Sequence, residues 1–213
     1  MNRTILSITA LLAGSALLAG CSGLRSGAKA DQIYVLHAAP AAAGTPVAAV
    51  LAVPRPVAHP GLDTDRIALL RSGNELDYYA ASHYGESLTR VLGVIAVETL
   101  AGGEGFATAI SADRAGVHSD YDLLLTVRRF EADYSGGKTL PTVQVAIDCM
   151  LVASSPRKVL GSCDGAASEA VGANRMSEIV AALERAAQFA LADVRSKAVA
   201  LARATPPPVL PKK

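Results

Sequence analysis

The strongest hydrophobic pattern in the chain is a helical stripe near its C-terminal end. Across residues 176–201, apolar side chains recur about every 3.6 residues, which predicts a long amphipathic helix. Residues 86–101 show similar spacing and are followed by a Gly-Gly pair, so we expect a second helix that stops there. Asn174 precedes the long helix and is its expected N-terminal cap.

Segments in which apolar and polar residues alternate predict strands. Two long strands are expected at residues 121–134 and 143–151, and the alternation of the first slips at Arg128 and Arg129, which predicts a β-bulge. A strand at residues 159–163 follows a turn at residues 154–157. Shorter strands are expected at residues 33–36, 47–53, 66–70, 75–79 and 106–110, with a hairpin turn at residues 72–74.

These elements predict an α+β fold. We expect a two-layer sandwich in which a mixed, mostly antiparallel sheet carries both helices on one face. The helix between two strands favours a right-handed crossover and one parallel pair. The domain is expected to span residues 33–204. Residues 205–213 contain four prolines and are expected to form a disordered or extended tail.

The N-terminal region has the pattern of a secretion signal. Arg3 makes the start positive, residues 5–18 are dominated by Ile, Leu and Ala, and a Leu-Ala-Gly sequence directly precedes Cys21. This arrangement is a lipobox, in which small residues form the cleavage site and the next residue is an acylated thiol. We therefore expect residues 1–20 to be a removed signal peptide and Cys21 to be the lipid attachment site, carrying acyl chains such as palmitate.

Residues 21–32 are expected to be a lipidated tether, because they are mostly small, polar and glycine-containing. About ten flexible residues span roughly 18 Å root-mean-square, so the folded part stays close to the membrane. The leader is too short and too rich in small residues to be a strong membrane span. Ser22 stands where Asp usually signals retention in the inner membrane, and this favours the outer membrane.

The charge balance and the aromatic content argue against a nucleic-acid partner. The chain has 20 Lys and Arg residues and 19 Asp and Glu residues, so it has no basic field to hold a phosphate backbone. Aromatic residues make up 4% of the chain and Trp is absent, so base-stacking platforms are not expected.

Catalytic and metal-binding patterns are absent or weak. No Gly-x-Ser-x-Gly elbow occurs, and the glycine-rich residues 102–105 follow a helix, where a helix stop is expected instead of a phosphate loop. Asp63 and Asp65 are expected to make turn and capping bonds. We predict a non-enzyme with no catalytic residue, metal or cofactor. The four histidines lack metal-ligand spacing: His37, His59, His83 and His118.

Cys149 and Cys163 lie seven residues either side of Pro156, so a hairpin centred there places them opposite each other. In an oxidising compartment this arrangement is compatible with a cross-strand disulfide. Such a bond would stabilise the fold by roughly 3 kcal/mol. The alternative is a pair of buried thiols in the sheet. A metal site would need two further ligands, and no histidine lies nearby in sequence.

Several segments, in order, resemble the ABC-type transport auxiliary lipoproteins of the PqiC-like group. They are Val-Pro-Arg-Pro at 53–56, Gly-Leu-Asp-Thr-Asp-Arg-Ile at 61–67, Leu-Asp-Tyr-Tyr-Ala at 76–80 and Arg-Arg-Phe-Glu-Ala-Asp-Tyr at 128–134. The resemblance runs from about residue 34 to residue 202. It departs at His83 and Tyr84, where the family often has Trp.

The resemblance implies an outer-membrane lipoprotein of an MCE-type ABC lipid transport system. The protein would accompany an MCE-domain protein, a permease and an ATPase, dock or cap the periplasmic component, and assemble as a homo-oligomer. Two alternatives remain open. One is a periplasmic lipid-binding shuttle, which needs an apolar cavity. The other is a structural envelope lipoprotein, tied to the cell wall through Lys212 and Lys213.

Overall fold

A computed structural model describes residues 30–41, 43–72, 75–113 and 116–205 of the protein. The expected signal peptide, Cys21 and residues 206–213 of the expected tail lie outside these residues, as do Gly73 and Asn74 of the predicted hairpin turn. The described fold belongs to the unit that begins at Asp31.

The described residues form nine strands and two helices, in an order close to the predicted one. The helices are α1 (Leu88–Leu100) and α2 (Met176–Ala204). Within the described residues, neither helix is long and apolar enough to cross a membrane. The strands are β1 (Gln32–Tyr34), β2 (Val47–Val53), β3 (Val57–Ala58), β4 (Arg66–Leu70), β5 (Leu76–Tyr84), β6 (Phe106–Ser111), β7 (Tyr121–Asp133), β8 (Thr142–Ser154) and β9 (Arg157–Ala170).

Strand β7 pairs along both of its edges. One edge pairs antiparallel with β8 from end to end, and β8 then pairs antiparallel with β9. The other edge is shared by three shorter strands, all parallel to β7: β2 pairs at Tyr121, β3 at Thr126 and β4 at Ala132. The sheet continues from β2 to β6 on one side and from β4 through β5 to β1 on the other.

The predicted fold class is confirmed, since the structure is a mixed sheet with two helices that contact each other. The two longest ladders, β7–β8 and β8–β9, are antiparallel. One parallel pair was predicted and the structure has five among the described strands. Strand β6, which follows α1, pairs with β2 and not with the strand that precedes the helix.

The predicted bulge in β7 is confirmed, because the register against β8 shifts between Val127 and Arg129. The shift changes which residues point into the core, from odd-numbered positions before the bulge to even-numbered positions after it. Both sets are buried: Tyr121, Leu123, Leu125 and Val127 before the bulge, and Phe130 and Ala132 after it.

Helix α2 lies unusually close to β9 because the contact is made by small residues. A Cβ atom at Gly165 would overlap the carbonyl oxygen of Ala190, so only glycine permits this approach. A Cβ atom at Gly161 would meet the end of the Leu201 side chain, which can move aside more easily than the backbone at Ala190. The buried face of the helix is rich in alanine: Ala182, Ala186, Ala187, Ala190, Ala198 and Ala202.

The two helix ends differ in how well they were predicted. Helix α1 stops before Gly102, which has a φ of 68°, and the predicted glycine stop is confirmed. The predicted Asn174 cap of α2 is wrong. Arg175 occupies the N-cap position without a side-chain cap bond, and Asn174 Oδ1 instead accepts a 2.7 Å hydrogen bond from the Tyr134 hydroxyl.

The segment between β1 and β2 is fixed to α2 at both of its ends. The His37 backbone N–H donates to Glu184 Oε2 over 2.8 Å, and Gln188 Nε2 donates to the His37 carbonyl over 3.0 Å. Near β2, the Arg203 guanidinium donates to the Thr45 carbonyl over 3.1 Å. The N-terminal strand is therefore held on both sides, by the sheet and by this connection to the helix.

We expect Gly165→Ala to lower the free energy of unfolding by about 2–3 kcal/mol, because the added methyl group must push α2 away from β9. Urea unfolding of the Cys21→Ser protein, which lacks the predicted acylation site, measures this change. Gly172→Ala is the matched control, since nothing lies within 4 Å of its added Cβ, and it should stabilise by up to about 1 kcal/mol or have no effect. Equal unfolding midpoints for the two variants would contradict the close contact.

Candidate functional site

The connection from β2 to β4 carries two of the motifs singled out in the sequence, and it leaves the edge of β7 twice. Pro54 and Pro56 have no backbone N–H to donate to a ladder, and the chain departs from β7 there before returning as β3. The His59 N–H then donates to the Val127 carbonyl over 2.9 Å, after which the chain departs again until β4. These two excursions bring one charged side chain each, Arg55 and Asp63, to the start of α1.

Four side chains meet there in what we call the Arg55 cluster: Arg55, Asp63, Ser87 and Thr89. The Thr89 hydroxyl donates to Asp63 Oδ1 over 2.7 Å and accepts from Arg55 Nε over 2.9 Å. The other side of the guanidinium donates to Ser87 Oγ over 2.8 Å, and it lies 3.6 Å from the Asp63 carboxylate. Thr89 is 0% exposed, and these partners satisfy its buried hydroxyl.

The same loop also supplies backbone acceptors near the helix start. The Thr64 carbonyl accepts from the Leu88 N–H over 2.9 Å, and the Asp65 carbonyl accepts from the Tyr84 N–H over 2.7 Å. The first N–H groups of a helix have no partner within the helix, so the loop fills part of this need. The Gly-Leu-Asp-Thr-Asp-Arg-Ile motif therefore stabilises the N-terminal end of α1.

Asp65 makes one of the expected local turn bonds, since its Oδ1 accepts from the Thr64 hydroxyl over 3.3 Å, and Thr64 makes another. Thr64 Oγ1 accepts from the Arg66 N–H over 3.3 Å, whereas the Asp63 carboxylate reaches across to α1. Further along, the Arg66 guanidinium stacks 4.1 Å from the ring centre of Tyr78, whose hydroxyl donates to the Gly61 carbonyl over 2.7 Å. The motif is thus tied both to α1 and to β5.

A groove of about 560 Å³ borders the Arg55 cluster, between α1 and the edge strand β6. We call it the α1–β6 groove. Its apolar part includes Val94, which is 56% exposed, together with Val97 and Ile110. Charges of both signs surround it, Arg90 and Asp113 among them. An apolar floor with a mixed charged rim suits binding of a partner better than acid–base chemistry.

A second cleft, of about 700 Å³, lies between the β4–β5 hairpin and the start of α2. The Tyr134 hydroxyl gives its proton to Asn174 Oδ1, so the Tyr79 hydroxyl donates to the Tyr134 oxygen, 2.9 Å away. Burial, followed by this hydrogen bond, raises the pKa of Tyr79 well above its ordinary value. Both features keep Tyr79 a neutral hydrogen-bond donor, and they do not make it a nucleophile.

The two cysteines of the domain face each other across β8 and β9. The structure pairs Cys149 with Cys163 in register, with their Cα atoms 4.9 Å apart, so the predicted register is confirmed. Their sulfur atoms are joined at 2.05 Å. Cys149 is 4% exposed and belongs to the hydrophobic core, and Cys163 packs against it. That the bond forms in the cell remains a prediction.

The other singled-out residues do not converge on a site. His37 Nδ1 lies 3.0 Å from Glu184 Oε2, and His83 Nδ1 lies 3.6 Å from Asp65 Oδ2, on different parts of the fold. Among the residues that the structure describes, no three His, Cys, Asp or Glu side chains are grouped as metal ligands would be. Cys21, the predicted lipid attachment site, lies outside them.

Sequence reasoning missed two members of the Arg55 cluster, Ser87 and Thr89. Arg55 was named only within the Val-Pro-Arg-Pro segment of the family resemblance, and its contacts were not predicted. No sequence signal marks Thr89, because its position in the first turn of a helix looks ordinary until the loop at Asp63 folds against it. The α1–β6 groove was missed for the same reason, since it forms only when β6 joins β2.

Comparison with known proteins gives a family and a fold. The family model described as "ABC-type transport auxiliary lipoprotein component" matches residues 34–194. The crystal structure of protein XCC0632 from Xanthomonas campestris, described as DUF330, has a TM-score of 0.71 and 23% identity, covering 81% of this chain and 98% of that one. A second crystal structure, of an uncharacterized protein, has a TM-score of 0.61 and 15% identity, covering 79% and 99%. Among curated proteins, none matches the sequence.

We expect Thr89→Val to lower the free energy of unfolding by about 1–2 kcal/mol, because it removes a buried hydroxyl that makes two hydrogen bonds. Thr108→Val, at an exposed position of β6, is the control and should change stability by less than about 0.5 kcal/mol. Urea unfolding of both variants compares them. A Thr89→Val protein as stable as the control would show that the Arg55 cluster does not hold the loop.

Counting the free thiols of the protein tests the predicted disulfide. The chain has 3 cysteines, so Cys21→Ser leaves only Cys149 and Cys163. We expect this protein, exported to the periplasm and then unfolded without reductant, to show no free thiol. Reduction should lower its free energy of unfolding by about 3 kcal/mol. Two reactive thiols in the unreduced protein would support the alternative of buried, unbonded cysteines.

Proposed function

The chain belongs to the ABC-type transport auxiliary lipoprotein family, and from that premise we propose that it is a non-enzymatic outer-membrane component of an MCE-type lipid transport system. Its role is to dock or cap the periplasmic component of that system. The family match carries the proposal, because it covers residues 34–194, which is most of the described unit.

Lipid attachment at Cys21 gives the protein its place in the envelope. The Leu-Ala-Gly-Cys sequence and the apolar leader support acylation, and Ser22 supports sorting to the outer membrane. One acyl chain holds a protein only marginally, whereas several chains on one cysteine make the attachment stable. The short tether then keeps the folded domain next to the membrane surface.

The partner is an MCE-domain protein that works with a permease and an ATPase. Binding, as opposed to chemistry, is supported by the way the polar side chains are used. The Thr89 hydroxyl is fully hydrogen-bonded, to Arg55 and to Asp63. The Tyr79 hydroxyl stays neutral because it is buried and bonded to Tyr134. Among the described residues, β1, β6 and β9 each pair with a strand on one edge only. Their outer edges leave room for a partner or for further copies of the chain, and we include a homo-oligomer in the proposal.

Affinity purification tests this proposal. The full-length protein with a C-terminal tag, solubilised from cross-linked envelopes in mild detergent, should bring down an MCE-domain protein. The Cys21→Ser variant is the control. It should keep its fold, appear in the soluble periplasmic fraction and recover less of the partner, because it is no longer concentrated at the membrane.

Two results would count against the proposal. Recovery of the acylated protein alone, under cross-linking, would favour the shuttle or the structural lipoprotein, and co-purified lipid in detergent-free protein would favour the shuttle in particular. Membrane fractionation of the Cys21→Ser protein would show either that the lipobox interpretation is wrong or that a second anchor exists.

A further inference from the structure

Strand β1 and the residue that follows it present two large apolar side chains to solvent on the same side. Ile33 is 63% exposed and Val35 is 65% exposed. The residues that alternate with them point the other way, since Leu36 is buried and Tyr34 packs against the core. Side chains stand above or below the plane of a sheet, and no described residue covers these two on their side, as their exposure shows.

The strand β1 is fixed on both sides of Ile33 and Val35, so it cannot rotate to bury these two side chains. Strand β1 is paired in parallel with β5, with Ile33 opposite His83 and Tyr34 opposite Tyr84. Just beyond Val35, the His37 backbone is bonded on both its N–H and its carbonyl to side chains of α2. A segment fixed in this way presents Ile33 and Val35 outward as part of its folded structure.

This patch is the first part of the fold to follow the lipid attachment site. Only residues 22–31 separate Cys21 from β1, so the distance between the two cannot exceed about 40 Å even for a fully extended chain. Two of the tether residues, Arg25 and Lys29, are basic and would be attracted to anionic headgroups, against the single acidic residue Asp31.

We propose that Ile33 and Val35 insert into the interface of the membrane that holds the acylated Cys21. The inference rests on the proposed lipid anchorage. Two aliphatic side chains are too few to bind a membrane by themselves, but the anchor makes their insertion an intramolecular step at high effective concentration. The lipid surface is favoured as the occupant because the short tether holds the patch within its reach.

Insertion of β1 would also orient the domain. Strands β2 and β4 pair with the same edge of β7, at Tyr121 and at Ala132, so β6 and β1 lie towards opposite ends of β7. Insertion would hold the α1–β6 groove at a fixed position relative to the bilayer. Without insertion, the tether alone would let the domain tumble at the membrane surface.

Tryptophan fluorescence tests the inference, because the chain contains no Trp. Single variants Ile33→Trp and Val35→Trp of the acylated protein are incorporated into vesicles of phosphatidylethanolamine and phosphatidylglycerol with brominated acyl chains. Val57→Trp and Phe189→Trp are the controls, since both native side chains are 61% exposed elsewhere on the domain. We expect bromine to quench the emission of the Ile33→Trp and Val35→Trp proteins at least three-fold more strongly than the emission of the two controls.

The outcomes separate the insertion from the anchorage. Flotation of the protein with the vesicles, combined with equal quenching at all four positions, would overturn the insertion and leave the anchorage standing. Failure of the acylated protein to float would overturn both. Blue-shifted emission from position 33 or 35 in the lipid-free Cys21→Ser protein would show that a second copy covers the patch, and would also overturn the insertion.

Discussion

The fold depends on the requirement that both edges of β7 be hydrogen-bonded, since an inner strand buried beneath helices has no water to pair with. Strand β8 satisfies one edge along its whole length. On the other edge, β2, β3 and β4 pair in turn, so the chain between residues 51 and 69 runs beside β7 as one interrupted strand. The first interruption follows from local chemistry, because Pro54 and Pro56 cannot donate to the ladder, and Pro60 stands at the start of the second.

The interruptions also explain where the family motifs lie. Each time the chain leaves β7 it carries a charged residue to the start of α1, where Arg55 and Asp63 share the hydroxyl of Thr89. The conspicuous motifs therefore secure the helix layer on the sheet, and the surfaces available to partners lie beside them, in the α1–β6 groove and at the strand edges. The proposed docking role needs such a rigid frame more than it needs reactive groups.

The local periodicity of the sequence predicted most helices and strands. The order of the strands in the sheet depends on pairing between distant segments, and local periodicity could not predict it. The stripe of α2, the bulge at Arg129 and the register of Cys149 with Cys163 depend on neighbouring residues, and all three are confirmed. Strand β9 runs on to Ala170, well beyond its predicted end, because glycine and other small residues face α2 there and give no hydrophobic signal. The order of the sheet and the Thr89 contacts could not be predicted, since they join segments far apart in sequence.

The central claim is that this lipoprotein domain binds the periplasmic component of a lipid transporter. Site-specific photo-crosslinking in intact cells tests it most directly, with the reactive group placed at exposed Val94, Met150 or Phe189, which lie on α1, β8 and α2. We expect a cross-link to an MCE-domain protein from at least one of these positions, and weaker or no cross-linking from the others. Cross-links to no transport component from any of the three, in cells that express the transporter, would contradict it.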